Sequence, residues 1–214
     1  MNETLHYLYD PLCGWCYGAE PLAAAAEHVV GLTLRLHAGA LWPEPTRLPE
    51  NMRLYIQQAD ARIAQMSGQP FGDAYLNRLL LDPALVLDSR PVIAAVLAAQ
   101  QLDPTKMLPM LRAIQHAHYE QGLHVVQEAT LVDIAKSVGL DATAFVEALR
   151  SVPVDRHIAE SREFMSYIGA QGFPTFVMQI GDDWLGVPHG RFAAAPAKFA
   201  EWLEAQMNNR AAAH

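Results

Sequence analysis

Leu5-His6-Tyr7-Leu8-Tyr9-Asp10-Pro11-Leu12-Cys13-Gly14-Trp15-Cys16 is the stretch whose reading decides the fold of this chain. A short aromatic and aliphatic run, Leu5 to Tyr9, reads as a strand, and after Asp10-Pro11 the pattern turns helical just where the chain's only two cysteines stand. Two thiols separated by two residues on the first turn of a helix can close a disulfide with each other. The positive end of the helix favours negative charge on the first of them. Cys13 and Cys16 are therefore read as a dithiol/disulfide couple.

Outward from this point, a helix is expected from about Cys13 to Val29, kinked by Pro21, which lacks a backbone donor. A second strand over Leu32 to His37 completes a β-α-β unit. The proline-rich connector Trp42 to Pro49 then marks a boundary, beyond which the pattern stays helical as far as residue 152. Helix starts are read at Ser89, at Asp103-Pro104, at a capping box Thr130 to Asp133 and at Asp141, with Gly139 as a helix C-terminal cap. After Pro153 one more helix leads to about Ile168. Pro174 to Ile180, the turn at Gly181-Asp182-Asp183 and Trp184 to Val187 read as a hairpin, followed by a last helix from about Ala195 to Met207 and a frayed tail, 208–214.

Composition narrows the function classes. With 214 residues, 51% of them hydrophobic, the chain can bury a sizeable core. A formal charge of -8 without clustered Lys and Arg argues against nucleic acid as a partner. The longest charge-free apolar stretch, Pro91 to Ala99, is far short of the roughly 20 residues a membrane span needs. No basic, apolar and small-residue succession follows Met1, so no export signal is read and a cytoplasmic location is expected. In that reducing compartment a lone cysteine pair points to catalysis. No metal site is expected: His28 and His37 lie too far apart for a zinc finger, and His116 and His118 fall on different helix faces. Met52, Met66, Met107, Met110 and Met165 read as core fillers, and Asp60, Glu120 and Glu128 as solvated helix faces.

The strand, the CxxC at a helix start, the proline five residues after the second cysteine and the late Gly172-Phe173-Pro174-Thr175-Phe176 entering a hairpin together resemble the thioredoxin superfamily. The helical block between the second strand and that hairpin resembles its DsbA-like branch, particularly the cytosolic FrnE type, whose opening Tyr-x-Asp-Pro-x-Cys-x-Trp-Cys compares with Tyr9-Asp10-Pro11-Leu12-Cys13-Gly14-Trp15-Cys16 here. The fold class implied is α/β, thioredoxin-like with a large all-helical insertion: residues 1–45 and 153–207 form the thioredoxin-like domain and 46–152 the insertion.

The resemblance implies roles. Cys13 becomes the exposed nucleophile that attacks a substrate disulfide, Cys16 the buried thiol that resolves the mixed disulfide, and Pro174 the family's cis-proline. Phe173 before it would pair with extended substrate and Trp15 would shape the rim. The implied function is thiol-disulfide exchange on protein, peptide or small-molecule disulfides, with the dithiol as its own redox group and glutathione as a possible reductant. Three alternatives stand beside it. One is a glutathione-dependent transferase or isomerase, since kappa-class glutathione transferases and 2-hydroxychromene-2-carboxylate isomerases share the architecture but typically carry serine where Cys13 stands. Another is a redox-inert module holding peptides at the Pro174 edge, and a third a disulfide isomerase. Gly14 and Trp15 carry no charge, so the helix end must supply most of the thiolate stabilisation and a couple less oxidising than DsbA is expected.

Overall fold

The structure is a computed structural model that describes residues 3–211. Its centre is a four-stranded sheet in the order β2-β1-β5-β6, built from β1 (Glu3–Tyr9), β2 (Leu32–Ala38), β5 (Thr175–Ile180) and β6 (Asp183–Gly186). β1 runs parallel to β2, and α1 (Gly14–Glu27) makes the crossover between them. β5 and β6 form the expected hairpin, and β5 lies antiparallel along the other side of β1, with Tyr7 paired to Phe176. Flanked on both sides, β1 is buried from Leu5 through Tyr9, which is why its sequence is nearly continuous in apolar and aromatic residues. Tyr7 stacks on Phe176 with ring centroids 4.3 Å apart, and its hydroxyl donates to the Cys16 carbonyl at 3.1 Å, tying the sheet to the first turn of α1.

α1 runs unbroken through Pro21. Between β2 and β5 the chain forms α2 (Glu50–Ser67), a single π-helical turn at Tyr75–Leu79, α3 (Ser89–Leu102), α4 (Met107–Tyr119), α5 (Glu128–Ser137), α6 (Ala142–Ser151) and α7 (Val154–Tyr167). α8 (Pro196–Ala211) packs back against α1. Asp103 and Asp141 cap as expected, accepting from the backbone N–H groups of Thr105 and Ala144, and Gly139 takes the left-handed conformation just past α5.

Four boundaries differ from the sequence reading. The insertion is not wholly helical: β3 (Thr46–Arg47) and β4 (Val86–Leu87) pair antiparallel, because the start of the connector is pinned to the residue just after β4 and Asp88. Ser89 N–H donates to the Trp42 carbonyl and Trp42 N–H to the Ser89 hydroxyl, both at 2.9 Å. Asp88, one residue before Ser89, is the N-cap of α3. Thr130 lies inside α5, whose first turn is closed earlier by Leu131 N–H on the Gln127 carbonyl. The tail expected from residue 208 is instead the last turn of α8 as far as Ala211, while 212–214 lie outside the described residues.

The insertion meets the sheet domain through rings. Tyr17 of α1 stacks on Tyr119 of α4 at 4.8 Å and meets Phe71 edge-on, while Tyr75 packs edge-on against Tyr119 at 5.2 Å. Gly72 and Gly122 allow this approach. A Cβ on Gly72 would strike the Glu120 carbonyl, and one on Gly122, already at φ +65°, would strike the Ala74 carbonyl. Gly122→Ala is expected to lower stability by about 1–3 kcal/mol, the usual cost of forcing a side chain into a left-handed position. Urea unfolding is the check, and an unchanged midpoint would contradict this packing.

Candidate active site

Asp10 organises the turn between β1 and α1. Its carboxylate has no exposed surface and accepts from Leu12 N–H at 2.7 Å and Leu41 N–H at 2.8 Å, while its carbonyl accepts from Cys13 N–H at 3.2 Å. Burial pushes this carboxyl up; hydrogen bonds from Ser89, Leu41 and Leu12 and the charge of Arg162 act against that. Cys13 is thereby fixed as the N-cap of α1, with extended backbone, and its carbonyl accepts from Cys16 N–H and Tyr17 N–H at 2.9 and 3.0 Å.

The two sulfurs are unequal. Cys16 is fully buried, and its Sγ accepts from Asp10 N–H at 3.5 Å. Burial pushes its thiol well up, the hydrogen bond with Cys13 and the Cys13 charge push the same way, and the Asp10 N–H pulls weakly back. Cys13 retains 6% exposure, less than its expected role as an exposed nucleophile implies, because Leu41 and Phe173 close around it. Cys13 nevertheless lines two clefts, one of about 380 Å³ toward Arg162 and Phe173 and one of about 250 Å³ between α1 and the insertion. Both cysteines are free thiols.

The residues singled out from sequence converge here. Cys13 Sγ lies 3.9 Å from the Phe173 carbonyl, within reach of an S–H···O contact, and the Phe173–Pro174 peptide bond is cis. The Arg162 guanidinium lies over the Phe173 ring, 5.3 Å from its centre, and donates to the Ala40 carbonyl. Trp15 is 39% exposed and stands between the insertion cleft and a shallow groove that also reaches Pro174. Among the described residues no group of His, Cys, Asp and Glu side chains could hold a metal ion, and no helix is long and apolar enough to cross a membrane.

Two assignments from sequence need correction. Met52 and Met66 are not core fillers but exposed residues beside the clefts, whereas Met110 and Met165 are buried. Asp60 is not solvated: it is 2% exposed, held between Tyr75 and Gly14. The signal was spacing, since Ile56, Asp60 and Ile63 share one helix face and Ile63 is buried.

Comparison with known proteins agrees with this geometry. The sequence model of the DsbA-like thioredoxin domain matches residues 4–194. The chain belongs to the DsbA-like thioredoxin family. Among solved structures it is similar to the cytosolic disulfide reductase DsbM from Pseudomonas aeruginosa, at 43% identity, over 96% of this chain and 98% of that one, with a TM-score of 0.88. The same reductase determined with GSH gives a TM-score of 0.86, at 43% identity over 96% of this chain and 99% of that one. A 2-hydroxychromene-2-carboxylate isomerase shares the fold at 17% identity, with a TM-score of 0.63 and 98% of each chain covered. No match was found among curated protein sequences.

The burial difference predicts the labelling order. Iodoacetamide at neutral pH is expected to alkylate Cys13 well before Cys16, whose sulfur is enclosed and held protonated. Mass spectrometry of the partly labelled protein is the measurement; equal labelling would contradict the site described.

Proposed function

We propose that this protein is a cytoplasmic thiol-disulfide reductase that opens disulfides of proteins, peptides or small thiols and is returned to its dithiol form by glutathione. Cys13 thiolate attacks one sulfur of the substrate disulfide, forming a Cys13–substrate disulfide and releasing the other sulfur as a thiolate. Cys16, once deprotonated, attacks the Cys13 sulfur; the second substrate thiolate leaves and the Cys13–Cys16 disulfide remains. Two molecules of glutathione then reduce that disulfide and become one molecule of oxidised glutathione. The dithiol is its own redox group.

The unequal placement of the two sulfurs is the observation that carries this reading, since a nucleophile at the cleft and an enclosed resolving thiol are what sequential exchange needs. The likeness to a cytosolic disulfide reductase supports the reducing direction and the location, and the determination of that reductase with GSH supports glutathione as the electron donor. Trp15, Leu41, Met52 and Tyr55 form an exposed apolar rim around the insertion cleft, which suits a disulfide flanked by apolar peptide better than a small charged one. Phe173 borders one Cys13 cleft and Pro174 the neighbouring groove that Trp15 shares, where an extended substrate would lie.

Glutathione-dependent isomerisation needs no resolving thiol, so the enclosed Cys16 weighs against it. In the reductase reading Cys13→Ser abolishes insulin reduction with glutathione, because a hydroxyl cannot form the sulfur–sulfur bond, and Cys16→Ser accumulates a mixed disulfide with glutathione detectable by mass. Conjugation or isomerisation of an electrophile by Cys13→Ser, with no disulfide exchange by the wild type, would favour the isomerase reading instead.

The redox potential is a second check. With uncharged Gly14 and Trp15 between the thiols the couple is expected at roughly -200 to -270 mV, in the range from glutaredoxins to thioredoxin. Equilibration against a glutathione buffer measures it, and a value near the roughly -120 mV of DsbA would speak for an oxidase.

A further inference from the structure

We propose that Asp60, presented by α2 of the insertion, donates the proton to the thiolate expelled when Cys13 opens a substrate disulfide, an inference that rests on the exchange chemistry proposed above. The placement is specific. Asp60 Oδ2 accepts from the Tyr75 hydroxyl at 2.8 Å, whereas Oδ1 has no hydrogen-bond partner among the described residues. Oδ1 lies so near the backbone of Gly14 that a Cβ on that residue would stand 2.5 Å from it. This oxygen, with no protein donor of its own among the described residues, is left open to the cleft that Asp60 lines.

The cleft of about 250 Å³ joins this carboxyl to Cys13 and is otherwise lined largely by apolar side chains. The titratable groups facing Asp60 across it are Tyr55 from its own helix, Cys13, Tyr75 from the π-helical turn, and His118 and Tyr119 from α4. Burial holds His118 down at about 4, so it is uncharged at neutral pH, and among the described residues no Lys or Arg lines the cleft. With no cation to favour its charged form, burial carries the Asp60 carboxyl up to about 7, against the opposing Tyr75 hydrogen bond. Asp60 therefore holds a proton near pH 7 and can release it there.

The step balances. Cys13 thiolate forms a bond to one sulfur of R–S–S–R′, the S–S bond breaks, and its electron pair leaves on R′–S⁻, which takes the Asp60 proton and departs as R′–SH. An alkyl thiol has a pKa of about 8.5, so transfer from a carboxyl near 7 is downhill. The Asp60 carboxylate then recovers a proton from solvent or from Cys16 as that thiol becomes the next nucleophile.

The test compares two leaving groups. The rate of oxidation of the reduced protein is measured from about pH 5 to 9 with bis(2-hydroxyethyl) disulfide, whose leaving thiolate needs a proton, and with 5,5′-dithiobis(2-nitrobenzoate), whose aryl thiolate leaves without one. In the wild type the aliphatic rate is expected to fall at high pH as Asp60 deprotonates, whereas the aryl rate shows no such fall. Asp60→Asn is expected to lose the falling limb and at least about tenfold of the aliphatic rate, within the usual range for general acid catalysis, while the aryl rate shifts far less. Tyr75→Phe removes the hydrogen bond that favours the carboxylate, so the falling limb should move to higher pH. Equal effects of Asp60→Asn on both disulfides, or a limb unmoved in Tyr75→Phe, would overturn the role of Asp60. A wild type that exchanges with neither disulfide would overturn the exchange reading itself.

Discussion

The site depends on one buried carboxylate. Asp10 joins three segments that are far apart in sequence: the turn before α1 through Leu12, the loop after β2 through Leu41, and the start of α3 through Ser89. A carboxylate without water is tolerated only when such donors replace its hydration. Those donors position the Cys13 backbone as the helix cap and bring the Asp10 N–H against the Cys16 sulfur. The loop that Asp10 holds pays locally: Ala40 is the one non-glycine residue with positive φ among those described, at +53°, and Arg162 clamps its carbonyl.

The two thiols differ because their surroundings come from different parts of the chain. Cys16 is fully buried in the core that α1 shares with β1, where Tyr7 hydrogen-bonds its carbonyl. Cys13 stands at the helix end, where the Phe173 loop bounds it on one side and the insertion on the other. The insertion is thus more than a lid on a finished site. Through Tyr75, His118, Tyr119 and α2 it forms a wall of the cleft on which Cys13 opens.

The strands, the β-α-β crossover, the hairpin and the cysteine pair were legible because each has a strong local signature: alternation or continuous apolar text, a turn cluster, or a spacing with chemical meaning. The short β3–β4 ladder was not legible, since four residues cannot express a period and their pairing is imposed by the Trp42–Ser89 hydrogen bonds. Asp60 was misread for a related reason. An acidic residue in a helix usually faces water, and although its spacing from Ile56 and Ile63 puts this one on the apolar face, the groups that enclose it, Gly14 and Tyr75, come from elsewhere in the fold. Met52 and Met66 were misread the opposite way, apolar residues left exposed at the clefts.

The pairing of Tyr7 with Phe176 has a consequence for how the molecule is made. β1 and the cysteines leave the ribosome before the insertion, but the strand that completes their surroundings follows only after the whole of it, so the central sheet has a high contact order. At roughly 5–20 residues per second of synthesis, one side of β1 waits on the order of ten seconds for its neighbour. During that interval an unpaired, strongly apolar strand edge and two incompletely enclosed thiols are presented together. A nascent chain in this state is open to misassociation and to stray disulfides, which gives a reducing compartment and early shielding of β1 a direct bearing on the yield of folded protein.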